Sequence, residues 1–205
     1  MSTFHGMSDT SRFHNQAPSQ PTSPTQPMSP NTAASTHVFN ETTANKPYGK
    51  EWGQTGAVSP GGKHFEAGYP IQGNSHSVDF NRYSVPTDTR FNHSHPTAQG
   101  GPPEPSGVDH YNGYVGKNSN PQQQHMIRNT PQSNQSGEWM KVTGSLNGQG
   151  QARWHNETNP YNMKPVEHMP GVGYRTEIPT NADLRGGGVA LGGGSPSGAP
   201  TSPIE

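Results

Sequence analysis

Between positions 37 and 95 the apolar pattern is carried by aromatic rings, at Phe39, Tyr48, Trp52, Phe65, Tyr69, Phe80, Tyr83 and Phe91. They recur neither at the ~3.6-residue period of a helix nor at the two-residue period of a strand, and Gly or Pro separates most of them. The segment therefore predicts an extended run of anchors on a string, each ring a pocket filler followed by a spacer. Ahead of it, residues 1–36 form a Ser/Thr/Pro/Gln-rich arm. Its stretch from Pro18 to Pro30 favours polyproline-II-like backbone, because each proline removes a donor and fixes φ. Residues 96–137 read as a Gly/Pro/Gln-rich linker, and residues 186–205 as a Gly/Ser/Pro tail.

Residues 138–185 carry the strongest local signal and form a candidate hairpin and docking segment. Asn147-Gly148 is a hairpin turn pair, since both turn positions need positive φ. A two-residue turn there pairs Leu146 with Gln149. In that register Trp139 faces Asn156 and Trp154 faces Lys141, so both indoles lie on one face as diagonal neighbours. A lone hairpin is marginal in water, so a partner sheet would have to receive it. A smaller hairpin is predicted over 110–115, with Asn112-Gly113 at its turn and Tyr111 opposite Tyr114.

Composition sharpens this picture. Ile, Leu, Val and Phe together supply 23 of 205 residues, while Gly supplies 26 and Pro 22. Ordering a residue costs roughly 1–2 kcal/mol, and burying one large apolar side chain returns about 1.5–3 kcal/mol, so so few apolar residues do not predict a large core. The expected fold class is mostly irregular and extended, with no autonomous globular core, short β-hairpins at 138–155 and 110–115, and order supplied by a partner. Such a chain reads as intrinsically disordered and of low complexity.

Charge and motifs exclude more than they assign. The formal net charge is −1, and Lys and Arg number only 13 with no basic run, which argues against a nucleic-acid partner. No apolar stretch approaches the ~18 residues of a membrane span, and the start lacks the pattern of a secretory signal. With no cysteine, there is no disulfide framework.

Eleven histidines make the chain His-rich. His93-Ser94-His95 is a His-x-His pair with His76 upstream and His110 downstream, a set with the chemistry to hold zinc or copper or to respond to mild acid. A metal site needs held geometry, and an extended chain supplies no scaffold, so no metal and no cofactor are expected. The carboxylates Asp79, Asp88, Glu104 and Asp109 read as isolated in polar loops. No recognised nucleophile, zinc-protease or phosphate-loop motif is present, so no enzyme is expected.

The resulting expectation is a non-enzymatic structural protein that lies extended on a larger complex and bridges its protein subunits. A minor virion component (capsid, cement or tail-associated) is the most concrete form, with a virion or cytoplasmic assembly as its location. The alternatives are a disordered regulatory adaptor switched at Ser-Pro sites such as Ser23 and Ser29, and a structural protein of the microtubule lumen. The partner-binding residues would be Trp52, Trp139, Trp154, Tyr161, Tyr174, Tyr69, Tyr111, Tyr114 and Phe65, since Trp and Tyr dominate interfaces.

Overall fold

The structure is a computed structural model and describes residues 24–47, 49–80, 87–96, 104–130, 138–146 and 152–186. In chain order its elements are β1 (Gln26–Pro27), α1 (Pro30–Thr43), β2 (Trp52–Val58), β3 (His64–Ala67), β4 (Ile71–Gln72), β5 (Arg90–His95), α2 (Gly107–Ser119), β6 (Gln124–Asn129), β7 (Trp139–Leu146), β8 (Ala152–Thr158), β9 (Glu167–Met169) and β10 (Gly173–Glu177), followed by a short 3-10 turn at Asn181–Asp183. The strands form one ten-stranded mixed sheet in the order β1-β8-β7-β6-β5-β2-β3-β10-β9, with β4 paired to the start of β2. Strands β5 and β6 run parallel and are joined through α2 as a β-α-β crossover.

Alternation along the strands gives the sheet two working faces. Trp52, Gln54, Asn92, Ser94, Met126, Arg128 and Trp139 share one face, and α1 packs on it. Phe91, His93, His95, His125 and Ile127 share the other, which α2 covers toward β6 and β7. One core cluster on the α1 side contains Met28, Ala33, Phe39, Trp52, Met126, Trp139 and Tyr161. Beside it lie Ala34, Val38, Phe65 and Ala67. On the α2 side, Ile127, Met140, Val142 and Trp154 form a third cluster.

These findings overturn the expectation of an extended, intrinsically disordered chain of low complexity with no core. The apolar inventory that suggested it left out Met, Ala and Trp, and those types supply most of the core. It also left out buried polar residues that satisfy themselves. Helix α1 buries Thr32, Ser35, Thr36 and Thr43. Their hydroxyls donate back to the helix, Ser35 and Thr36 to the Thr32 carbonyl at 3.0 Å each and Thr43 to the Phe39 carbonyl at 2.6 Å. A hydroxyl that bonds its own helix loses little on burial, so these residues can be buried beside the helix's Ala33, Ala34, Val38 and Phe39. Ser29 caps it, with Pro30 in the first turn.

Arg128, 1 % exposed, fastens α1 to the sheet. Its guanidinium donates to Asn40 Oδ1 at 2.6 Å and to Thr43 Oγ1 at 3.2 Å, and lies 4.9 Å from the Phe39 ring centre. Burial pulls its pKa down to about 9.

Two hairpin expectations meet different outcomes. The strands of the 138–155 hairpin form, but Trp139 pairs with Glu157 and Val142 with Trp154. That is one residue away from the regular register, and the pairing shifts again between Val142 and Leu146. A one-residue slip turns every side chain to the other face. Trp139 therefore joins the α1-side core and Trp154 the α2-side core. The turn residues 147–151 lie outside the described residues. The 110–115 hairpin does not form: those residues are the middle of α2. A capping box at Ser106 and Asp109 starts that helix, and Gly116 leaves room for the Gln123 side chain, which a Cβ there would meet.

With the extended chain goes the function built on it. A bridging virion component, a disordered adaptor and a structural protein of the microtubule lumen all required an extended chain that gains order on a partner, and the described residues form a packed sheet-and-helix domain. No helix among them is long and apolar enough to cross a membrane.

Candidate metal centre

The sheet supplies the scaffold that the His-x-His pair lacked in the sequence. His93 and His95 sit two apart on β5, so both imidazoles leave the same face of the sheet. Ser94 between them points to the opposite face, is fully buried, and its Oγ accepts the Trp52 N–H at 3.0 Å. That bond ties the start of β2, and Glu51 just before it, to the histidine strand. Glu51 is further fixed by backbone bonds, its N–H to the Asn74 carbonyl at 2.7 Å and its carbonyl to the Gly73 N–H at 2.8 Å.

Helix α2 brings the third group. Asp109 is the third residue of the helix, and its Oδ2 accepts from the Ser106 N–H and the Ser106 hydroxyl, each at 2.7 Å. The same carboxylate faces both histidines, Oδ1 lying 3.1 Å from His93 Nε2 and Oδ2 3.3 Å from His95 Nε2. The two Nε2 atoms are 3.1 Å apart. One ligand atom from each of the three residues falls within 4.8 Å of the others. Zinc bonds of about 2.0–2.1 Å in a tetrahedron place neighbouring donors about 3.3 Å apart; the two Nε2 atoms stand close to that separation, and each faces its own oxygen of the Asp109 carboxylate.

The electrostatics suit a cation. Burial alone would push the Asp109 carboxyl up, but His93 and His95 outweigh it by charge and hydrogen bonding and hold it well below the usual carboxylate range. Glu51 behaves oppositely. Burial raises its pKa and Asp109 adds to the rise, against the opposing pull of His93, His95 and His76. All five residues line one cavity of about 310 Å³, together with His125. Burial, with His93 adding to it against Asp109, lowers the pKa of His125 to about 4, so this ring is a neutral wall. It stacks on Phe91, with ring centres 5.0 Å apart.

The aromatic residues singled out in the sequence lie elsewhere. Trp52, Trp139 and Tyr161 are buried together under α1, with Phe65 in the neighbouring cluster and Trp154 on the opposite face. Tyr174 is half-buried and Tyr69 exposed; they meet edge to face, 5.6 Å between ring centres, at the far end of the sheet. Tyr111 and Tyr114 are half-buried on α2. The sequence reading passed over Glu51 and Ser106, and took Asp109 for an isolated loop carboxylate. The available signal was Ser106-x-x-Asp109, a helix start that would have placed Asp109 on a rigid element.

No protein-family model, curated protein or solved structure matches this chain.

Proposed function

We propose that this domain is a metal-dependent hydrolase, with His93, His95 and Asp109 holding one divalent transition-metal ion, zinc by preference, and Glu51 acting as general base. The observation that carries the reading is the shared cavity: three converging donors within 4.8 Å of one another, and a buried carboxylate of raised pKa beside them. Three protein donors leave a coordination position open, the pattern of catalytic rather than structural zinc. Zinc in such a site lowers the pKa of a bound water to about 7 and polarises a carbonyl. Glu51 takes the proton of the attacking water and returns it to the leaving group as the acyl bond breaks. Its raised pKa favours both halves of that exchange.

Two imidazoles and a carboxylate also suit iron(II). Glu51 favours hydrolysis over oxygen chemistry, because a second buried carboxylate is what a hydrolytic water needs. The substrate bond is a carbonyl derivative, an amide or ester. Among the described residues lining the cavity there is no Lys or Arg to clamp a phosphoryl group.

Equilibrium dialysis of the purified chain against zinc or cobalt tests the centre. One ion per chain is expected, with affinity reduced at least a hundredfold in His93→Ala and Asp109→Ala. Glu51→Gln is expected to retain the ion and lose turnover of amide or ester substrates. A chain that takes up no ion, or an Asp109→Ala variant that binds it unchanged, sinks the proposal.

A further inference from the structure

We infer that the groove running from the metal centre along α2 is a subsite for an extended stretch of polypeptide, and that Val115 and Phe80 select an apolar side chain there. The inference deepens the hydrolase reading and rests on it. A second cavity of about 360 Å³ adjoins the first. The two share Val78, Phe80, Asn112 and His125 as walls, so they lie side by side along α2.

One wall is a stripe of α2. Val108, Asn112, Val115 and Ser119 follow each other at steps of four, three and four residues, one above the other on a single helix face. Val108 is 49 % exposed and Val115 41 %, so two branched apolar side chains stand open to solvent along this line. At 1.5 Å of rise per residue the stripe is about 16 Å long. An extended chain of about five residues covers that span.

The other wall is Phe80. Its ring meets Phe91 edge to face at 5.6 Å and His93 at 6.2 Å, which links the second cavity directly to a metal-binding histidine. Gly53 on β2 lets this wall lie flat. A Cβ there would come within 2.7 Å of the Phe80 ring and 2.8 Å of Val78.

Charge selects the occupant. The acidic residues lining the two cavities are Glu51, Asp79 and Asp109, and no Lys or Arg lines either one among the described residues. With no cationic side chain to hold it, a polyanion finds no partner among these residues, and the lining suits a neutral or basic chain. Asn112, at the walls of both cavities, offers an amide group that matches a peptide backbone, while the Gln123 amide nitrogen is held by His125 Nε2 at 3.0 Å. The occupant is therefore a polypeptide segment that places an aliphatic or aromatic side chain between Val115 and Phe80.

The test uses the full chain as the zinc-loaded Glu51→Gln variant, which retains the groove without consuming its ligand. It captures peptides from a random peptide library, read by mass spectrometry. The expected result is enrichment of peptides with an apolar residue at one fixed position, lost at least tenfold when the exposed Val115 is changed to Glu. No enrichment, enrichment unaffected by Val115→Glu, or preference for acidic or phosphorylated peptides overturns the inference. Zinc content is measured on the same preparation. Failure to load zinc counts against the centre, whereas a loaded protein that enriches no apolar peptide counts against the groove alone.

Discussion

The Oγ of Ser94 accepts the backbone N–H of Trp52 at 3.0 Å, and both residues are buried. The bond lies on the α1 side of the sheet, while the histidines that flank Ser94 open on the α2 side. Ser94 thus holds the start of β2, and with it Glu51, in register with the strand that carries His93 and His95.

Ser94→Ala leaves the Trp52 N–H buried without its partner. Loss of about 1–3 kcal/mol of unfolding free energy is expected. Turnover should fall more than zinc affinity, because Glu51 is the group released and the histidines stay on β5. Urea denaturation together with metal titration checks both parts. Equal loss of metal binding and turnover would assign the bond to the ligands rather than to the base.

Acid is expected to weaken the fold through His110 and His125. A histidine in the unfolded chain titrates near pH 6.5. Burial, partly opposed by Asp109, holds His110 down to about 4; burial with the help of His93, again against Asp109, does the same to His125. Between those values the unfolded chain binds protons that the folded chain does not. The contribution of both rings is therefore fully present above about pH 6.5 and drains away as pH falls toward 4, by roughly 3 kcal/mol for each. Urea midpoints at pH 7 and 4.5 measure the decline. His110→Gln should flatten it, and a variant with the parent's pH dependence would contradict the assignment.

Trp139 and Trp154 should act independently. Trp139 meets the Phe39 ring at 5.5 Å on the α1 side, whereas Trp154 packs with Ile127, Met140 and Val142 on the other. Trp139→Phe and Trp154→Phe are expected to add within about 0.5 kcal/mol, as uncoupled sites do. The alternative register, with both indoles on one face, predicts a coupling of about 0.5–3 kcal/mol. A double-mutant cycle by chemical denaturation separates the two.

By itself the sequence determined the local chemistry. It placed His93 and His95 two residues apart, so that a strand aims both the same way, and it marked the β7–β8 strands by their turn residues. Ser29-Pro30 and Ser106-x-x-Asp109 wrote both helix starts into the chain, against the irregular aromatic spacing and the turn-like Asn112-Gly113 pair. The remainder arose in packing. Periodicity reports large apolar side chains, and α1 buries only Val38 and Phe39 of that kind beside two alanines and four hydroxyl residues, so the stripe it turns to the core was short and easily masked. The hairpin register followed the two faces that needed filling, α1 on one and α2 on the other, which no isolated ribbon could specify. The centre joins Glu51, the His93–His95 pair and Asp109 because β2 pairs with β5 and α2 crosses from β5 to β6. Those contacts are long in sequence and short in space, and only the packed sheet creates the burial that drives the carboxyl pKa of Glu51 up while its histidines hold that of Asp109 down.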